Sequence, residues 1–311
     1  MLMYKALAII MALLLFAIQY VFAEEGERLT RADGSEITFY LNQKGSAHLL
    51  VLMQGSDCNS VAHSKVINDR FATIIDDADA LTVEKYGLTR SVSWNGSGDS
   101  PECPASYYEH DSPQQRADDY LQVMSWLDDK FHYDRITLLG GSEGALVAAM
   151  VASRSDAVSA VVSLNGGGRF FVDDVLHSMA LELPPEAFEE AKQGFLAFVD
   201  SVEAAENMDL VMSGHGFRWW KSMLDADQTA LLMSVRAPLF IIQSSLDKSV
   251  SSELAYDQAQ TLKKKKNNVD FQVFKELDHK FHDASGKDHS HLVISSIKDW
   301  LGRQRRTSET L

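Results

Sequence analysis

Ile136-Thr137-Leu138-Leu139-Gly140-Gly141-Ser142-Glu143-Gly144-Ala145-Leu146-Val147 is the most informative stretch of this chain. It reads as an apolar strand over residues 135–139, a tight Gly-x-Ser-x-Gly turn, and a helix of small residues over 142–152. A sharp strand-to-helix turn forces its central residue into a strained conformation. Gly140 and Gly144 leave room for the turn to approach neighbouring backbone. Ser142 Oγ is thereby lifted above the sheet at the positive end of a helix, and the Glu143 N–H faces any oxyanion formed there.

The same alternation extends on both sides. Residues 37–41, 48–53 and 80–85 read as strands before the turn, and residues 157–164, 238–243 and 269–274 as strands after it. Helical spacing marks residues 61–75, 114–131, 251–265 and 290–301. Apolar strands alternating with helices predict an α/β three-layer sandwich, a mostly parallel sheet covered on both faces. Residues 169–235 break the rhythm. They hold helical patterns, with Phe188, Ala191, Phe195, Phe198 and Val202 on one face, and no clear strand. This predicts a helical cap inserted over the C-terminal edge of the sheet.

A serine hydroxyl is a poor nucleophile unless a base takes its proton. In such a sheet the partners follow in the order Ser, Asp or Glu, His. Pro238-Leu239-Phe240-Ile241-Ile242-Gln243-Ser244-Ser245-Leu246-Asp247 is an apolar strand ending in an acid. Phe271-Gln272-Val273-Phe274-Lys275-Glu276-Leu277-Asp278-His279 is a strand ending in a histidine. Asp247 would orient His279, and His279 would deprotonate Ser142. His282 is the rival base and Asp278 the rival acid, while His289 and His291 read as surface residues near the last helix. The second oxyanion donor should follow an earlier strand. Gln54-Gly55-Ser56-Asp57-Cys58 fits, with the Ser56 N–H preferred and Asp57 next.

Together, Gln54-Gly55-Ser56, the Gly140-to-Gly144 turn, Asp247 and Asp278-His279-x-Phe281 resemble the ordered signature of the α/β-hydrolase superfamily over about residues 35–303. The resemblance implies an eight-stranded, mostly parallel sheet and a hydrolase working through an acyl-enzyme on a small-molecule acyl substrate. The departure is Gln54, where lipases and esterases commonly carry His-Gly. The expected activity is hydrolysis of a carboxylic ester or related acyl bond. Two other readings stand beside it: a serine peptidase of the prolyl-oligopeptidase or aminopeptidase type, and a non-catalytic binding protein on a hydrolase fold. Phe217, Trp219 and Trp220 in the cap are candidates for an acyl pocket, against plain packing of cap on body.

Residues 1–23 carry Lys5, an apolar stretch over 6–18, and Val21 and Ala23 at the −3 and −1 positions of a cleavage site. This is the pattern of a signal peptide, with an uncleaved anchor as its rival. A secreted or periplasmic protein without a lasting membrane anchor is expected. Two cysteines, Cys58 and Cys103, then predict a disulfide closing a 45-residue loop near the site. The 311 residues are 45% hydrophobic and 23% charged, with net charge −15, which opposes nucleic acid and anionic membranes as partners. Residues 263–266, a lysine run, read as a solvated helix end. Asn95-Gly96-Ser97 matches a glycosylation acceptor but reads better as a hairpin turn. No metal-ligand cluster or dinucleotide fingerprint appears, so no cofactor is expected.

Overall fold

The computed structural model describes residues 26–94 and 102–308. The 1–23 segment and Asn95-Gly96-Ser97 lie outside the described residues. Eight strands form one sheet: β1 (Glu27–Thr30), β2 (Glu36–Asn42), β3 (His48–Met53), β4 (Asp79–Val83), β5 (Arg135–Gly141), β6 (Val158–Leu164), β9 (Leu239–Ser244) and β10 (Val269–Phe274). Their order is β1-β2-β4-β3-β5-β6-β9-β10. β2 pairs antiparallel with β1 and β4, and every other pairing in the sheet is parallel. This is the eight-stranded, mostly parallel three-layer arrangement that the sequence resemblance implied.

The period of two along each strand sorts side chains between two cores. Leu49, Val51, Ile136, Leu138, Leu239 and Ile241 face one layer. There they meet α2 (Pro113–Phe131, with α1, Ala105–His110, before it) and α3 (Glu143–Arg154). Leu50, Leu52, Leu139, Val162, Phe240 and Ile242 face the other, against Ile74, Val293, Ile297 and Trp300. Both faces being buried, the central strands are apolar throughout rather than alternating with polar residues.

Three local readings differ from the structure. Residues 61–75 are two short 3-10 turns, Val61–His63 and Phe71–Thr73, around a π turn, Val66–Arg70, instead of an α-helix. The Asn68 amide takes the carbonyls of Val61 and Ala62, and Ser60 and Ser64 hydroxyls accept from Ala62 and Ile67 N–H groups. Such side chains compete with the helical ladder. β1 escapes the pattern because it is a four-residue edge strand with half-exposed residues. The region between β6 and β9 holds four helices: α4 (Phe171–Glu182), α5 (Pro185–Ala204), α6 (Phe217–Asp225) and α7 (Gln228–Ser234). It also holds a two-stranded sheet, where no strand was expected. β7 (Val211–Met212) and β8 (His215–Gly216) are joined by Ser213 and Gly214, both at positive φ as a type I′ hairpin turn requires.

Two further helices complete the chain, α8 (Ser252–Lys263) and α9 (Ser290–Ser308). Among the described residues, no helix is long and apolar enough to cross a membrane.

Candidate active site

Ser142 stands between β5 and α3 at φ 55°, ψ −127°, a conformation that L-residues avoid. Packing enforces it. A Cβ on Gly140 would lie 1.9 Å from the Gly144 carbonyl oxygen, and one on Gly144 would lie 2.2 Å from the Met53 carbonyl oxygen. Only glycine lets α3 start this close to the ends of β5 and β3. The Ser142 N–H is satisfied by the Leu164 carbonyl at 2.9 Å, which pins the turn to β6.

The candidate acid and base, Asp247 and His279, follow β9 and β10. His279 Nδ1 and Asp247 Oδ2 are 2.7 Å apart. Asp247 is fully buried and its other oxygen accepts the Ser249 and Val250 N–H groups at 2.9 and 3.1 Å. A carboxylate only accepts, so Nδ1 carries the hydrogen and Nε2 keeps a lone pair. The rival pair separates from this arrangement. Asp278 Oδ1 accepts from the Lys280 and His282 N–H groups and so braces its own turn. His289 pairs with Asp283 at 2.8 Å, part-buried rather than plainly on the surface.

Asn165, at positive φ just after β6, was not singled out from the sequence. Its carbonyl oxygen accepts from Ser244 N–H at 2.7 Å, and its amide donates to the His279 carbonyl at 2.9 Å. It therefore links the loop carrying His279 to the strand end that holds Ser142. The Asn165-Gly166-Gly167-Gly168 run was the available signal.

The loop after β3 lies over the serine: a Cβ on Gly55 would be 3.3 Å from Ser142 Cβ. Gln54, the departure from the usual His-Gly, braces this loop through its amide to Asp57 Oδ1 at 2.7 Å and to the Asn59 carbonyl at 3.1 Å. Lys85 holds the far side through Asp57, and Cys58 is bonded to Cys103. Ser56, Ser142 and Glu143 line one cavity of about 310 Å³ with Trp219 and Trp220. Leu146, Phe171, Val175 and Met223 complete its apolar wall. Phe217 is buried elsewhere, beside Tyr108 and Arg218, because it precedes Trp219 by two residues and so lies on the opposite side of α6 from it.

Charge is concentrated behind the cavity. Glu143 pairs with Arg116, and both side chains are 2% exposed. Burial opposes ionisation of Glu143, yet the nearby charges of Arg116, Lys85 and His215 hold its carboxyl below the usual range. Asp111 lacks such a partner at Oδ2, and burial pushes its carboxyl up to about 7 despite Arg116. Asp174, which reaches the cavity from α4, is pushed up to about 6 by burial and accepts from Ser251 and Gly168 N–H groups. His215 stacks on Trp219 with ring centres 3.7 Å apart. Among the described residues, no group of His, Cys, Asp and Glu is arranged to hold a metal ion.

Comparison with known proteins agrees with this architecture. The family described as "BAAT / Acyl-CoA thioester hydrolase C terminal" matches residues 119–279, just over half of the chain. That span contains Ser142, Asp247 and His279. An esterase of Pyrococcus furiosus superposes with a TM-score of 0.58 at 16% identity, covering 89% of each chain. Est1E of Butyrivibrio proteoclasticus gives 0.58 at 13%, covering 91% of this chain and 99% of its own. A proline iminopeptidase of Mycobacterium smegmatis gives 0.55 at 14%, covering 91% and 99%. At these identities the likeness is one of fold. No curated protein matches the chain in sequence.

Proposed function

The chain belongs to the BAAT / acyl-CoA thioester hydrolase C-terminal family and has the α/β-hydrolase fold, and from that premise we propose that it is an exported serine hydrolase cleaving carboxylic esters through an acyl-enzyme. Ser142 Oγ attacks the acyl carbonyl while His279 Nε2 takes its proton. Asp247 keeps that tautomer and balances the imidazolium. The N–H groups of Ser56 and Glu143 hold the oxyanion. The proton then passes to the departing alkoxide, and a water activated by His279 releases the acid and restores Ser142.

One observation carries the reading: Ser142 is held at φ 55° on the wall of an apolar cavity. Backbone strain of this kind persists where the surroundings demand it, and it concentrates at reacting groups. The 2.7 Å Asp247–His279 hydrogen bond, on the same edge of the sheet, supplies the base.

The family description favours a second reading, a thioester substrate. The attack on the carbonyl would be the same, and only the leaving group differs. A polyanionic leaving group suits this chain poorly, since its net charge is −15 and Arg169 at the cavity is already held by Asp227 through hydrogen bonds of 2.6–3.1 Å. Uncharged alcohols are therefore preferred. The size of the cavity suits a short to medium or aromatic acyl group.

Export rests on the 1–23 signal pattern and is supported by the Cys58–Cys103 disulfide, a bond of oxidising compartments. Ser142→Ala should abolish both hydrolysis of p-nitrophenyl butyrate and labelling by a fluorophosphonate probe. Activity surviving that change overturns the reading. Mass spectrometry of exported protein should find an N-terminus at Glu24, and Met1 retained on it would overturn cleavage.

A further inference from the structure

Arg116 is a charged residue on the buried face of α2, in line with Tyr120, Val123 and Leu127. Its guanidinium reaches a backbone carbonyl and a side-chain carboxylate at once. Nη2 donates to the Gln54 carbonyl at 2.6 Å, and Nη1 donates to Glu143 Oε1. Glu143 Oε2 accepts from Trp219 Nε1 at 2.7 Å. Gln54 opens the loop that carries the Ser56 N–H. Glu143 supplies the other N–H. One planar fork therefore joins the two arms between which the proposed oxyanion would sit, and an indole from the cap completes the chain of contacts.

Stability is a weak reason for this arrangement. Burying an ion pair carries a large desolvation penalty, and well-packed apolar residues of similar volume often fold as well or better. What a buried, hydrogen-bonded fork does supply is fixed geometry: its donors lie in one plane and suit two acceptors at a set separation. Donors misplaced by about 1 Å lower rates on the order of 100-fold. Lys85 acts on the other side of the same loop through Asp57, so the loop is held between two cations.

We propose that Arg116 is a positioning residue for catalysis, setting the distance between the Ser56 and Glu143 N–H groups and coupling it to the cap through Trp219. The inference rests on the serine-hydrolase reading above and adds a residue that touches neither substrate nor nucleophile.

The test compares Arg116→Lys, which keeps the charge but offers one compact head, with Glu143→Gln, which keeps volume but leaves one oxygen to accept. For p-nitrophenyl butyrate, kcat should fall on the order of 10- to 100-fold in R116K, with KM within about threefold. E143Q should show a smaller loss of the same kind. Affinity for butaneboronic acid, which adds to the serine as a tetrahedral anion, should fall by the same factor as kcat/KM. Inhibition by butyrate, which has no developing oxyanion, should stay within about threefold. A merely structural role would not produce that split between the two inhibitors.

Wild-type kcat and boronate affinity in a folded R116K would overturn the proposal, as would a kcat loss that boronate binding does not follow. If R116K does not fold, as judged by circular dichroism and urea unfolding, E143Q decides on the same two criteria. Ser142→Ala separates the failures. An active S142A overturns the hydrolase reading itself, whereas an inactive S142A beside an unaffected R116K overturns only the role of Arg116.

Discussion

Replacing Asp247 by asparagine removes a charge while keeping the shape, and the structure dictates how the amide must sit. In one orientation its NH2 faces the Ser249 and Val250 N–H groups, which now bond to Oδ1 at 2.9 and 3.1 Å. Two part-buried donors would lose their acceptor, at up to about 1–3 kcal/mol each. In the other orientation the NH2 takes the place of Oδ2, beside His279 Nδ1 and the Gln243 amide at 3.1 Å. Gln243 can turn to offer its Oε1, which has no partner now, at the loss of a long 3.5 Å contact to the Ser244 carbonyl. The second orientation is thus favoured. It obliges His279 to accept at Nδ1 and so to carry its hydrogen on Nε2, where a base must have a lone pair. Activity should fall on the order of 10⁴-fold, about 5 kcal/mol in the barrier. Stability should change by no more than about 1–2 kcal/mol, one hydrogen bond's worth. Steady-state hydrolysis of p-nitrophenyl butyrate and urea unfolding, run on the same preparations, measure both. A folded Asp247→Asn within tenfold of wild-type activity would refute the tautomer argument. A stability loss above about 4 kcal/mol would show that the amide had taken the first orientation.

Other outcomes follow from the same geometry. Cys58→Ser with Cys103→Ser frees a 45-residue loop and should lower unfolding stability by about 4 kcal/mol on the chain-entropy model. An unchanged urea midpoint would sink that account. Asp111, with a folded value of about 7 against an ordinary one near 4, binds its proton more tightly in the folded state. Its ionisation therefore erodes stability as pH rises from about 4 through 7, by at most about 4 kcal/mol. Asp111→Asn should accordingly be more stable than wild type at pH 8, with the advantage gone by pH 4; a pH-independent difference in urea unfolding would contradict this. Phe171 packs against Trp219 and Trp220 with ring centres 5.5 and 5.9 Å away. Phe171→Ala should raise the octanoate-to-butyrate ratio of kcat/KM for p-nitrophenyl esters at least about tenfold. A constant ratio would place the acyl chain elsewhere.

The sheet, the turn at Ser142 and the order of the polar groups along the chain are legible from residue pattern alone. Continuous apolar strands are legible because burial on both faces leaves no place for polar residues. Gly140 and Gly144 are legible because a Cβ at either would meet backbone oxygen. Asp247 and His279 were readable as the polar residues that follow such strands. Local pattern was insufficient where side chains override the backbone, as Asn68 does in the 3-10 and π turns, and where an element is too short to show a period, as in the β7–β8 hairpin.

Which residues reach the candidate site from a distance depends on how elements far apart in sequence pack together. Arg116 is one of two charges, with Asp119, on the buried side of its helix, and its contacts form only when Gln54 and Glu143, distant in sequence, both come within reach of one guanidinium. Asn165 likewise gains its role from the pairing of β6 with β9, and Trp219 and Phe217 are told apart by which side of α6 meets the cavity. The reason is physical. Periodicity records whether a side chain is buried, which a chain segment specifies locally, whereas a hydrogen-bond partner across the sheet exists only after folding has fixed the distance.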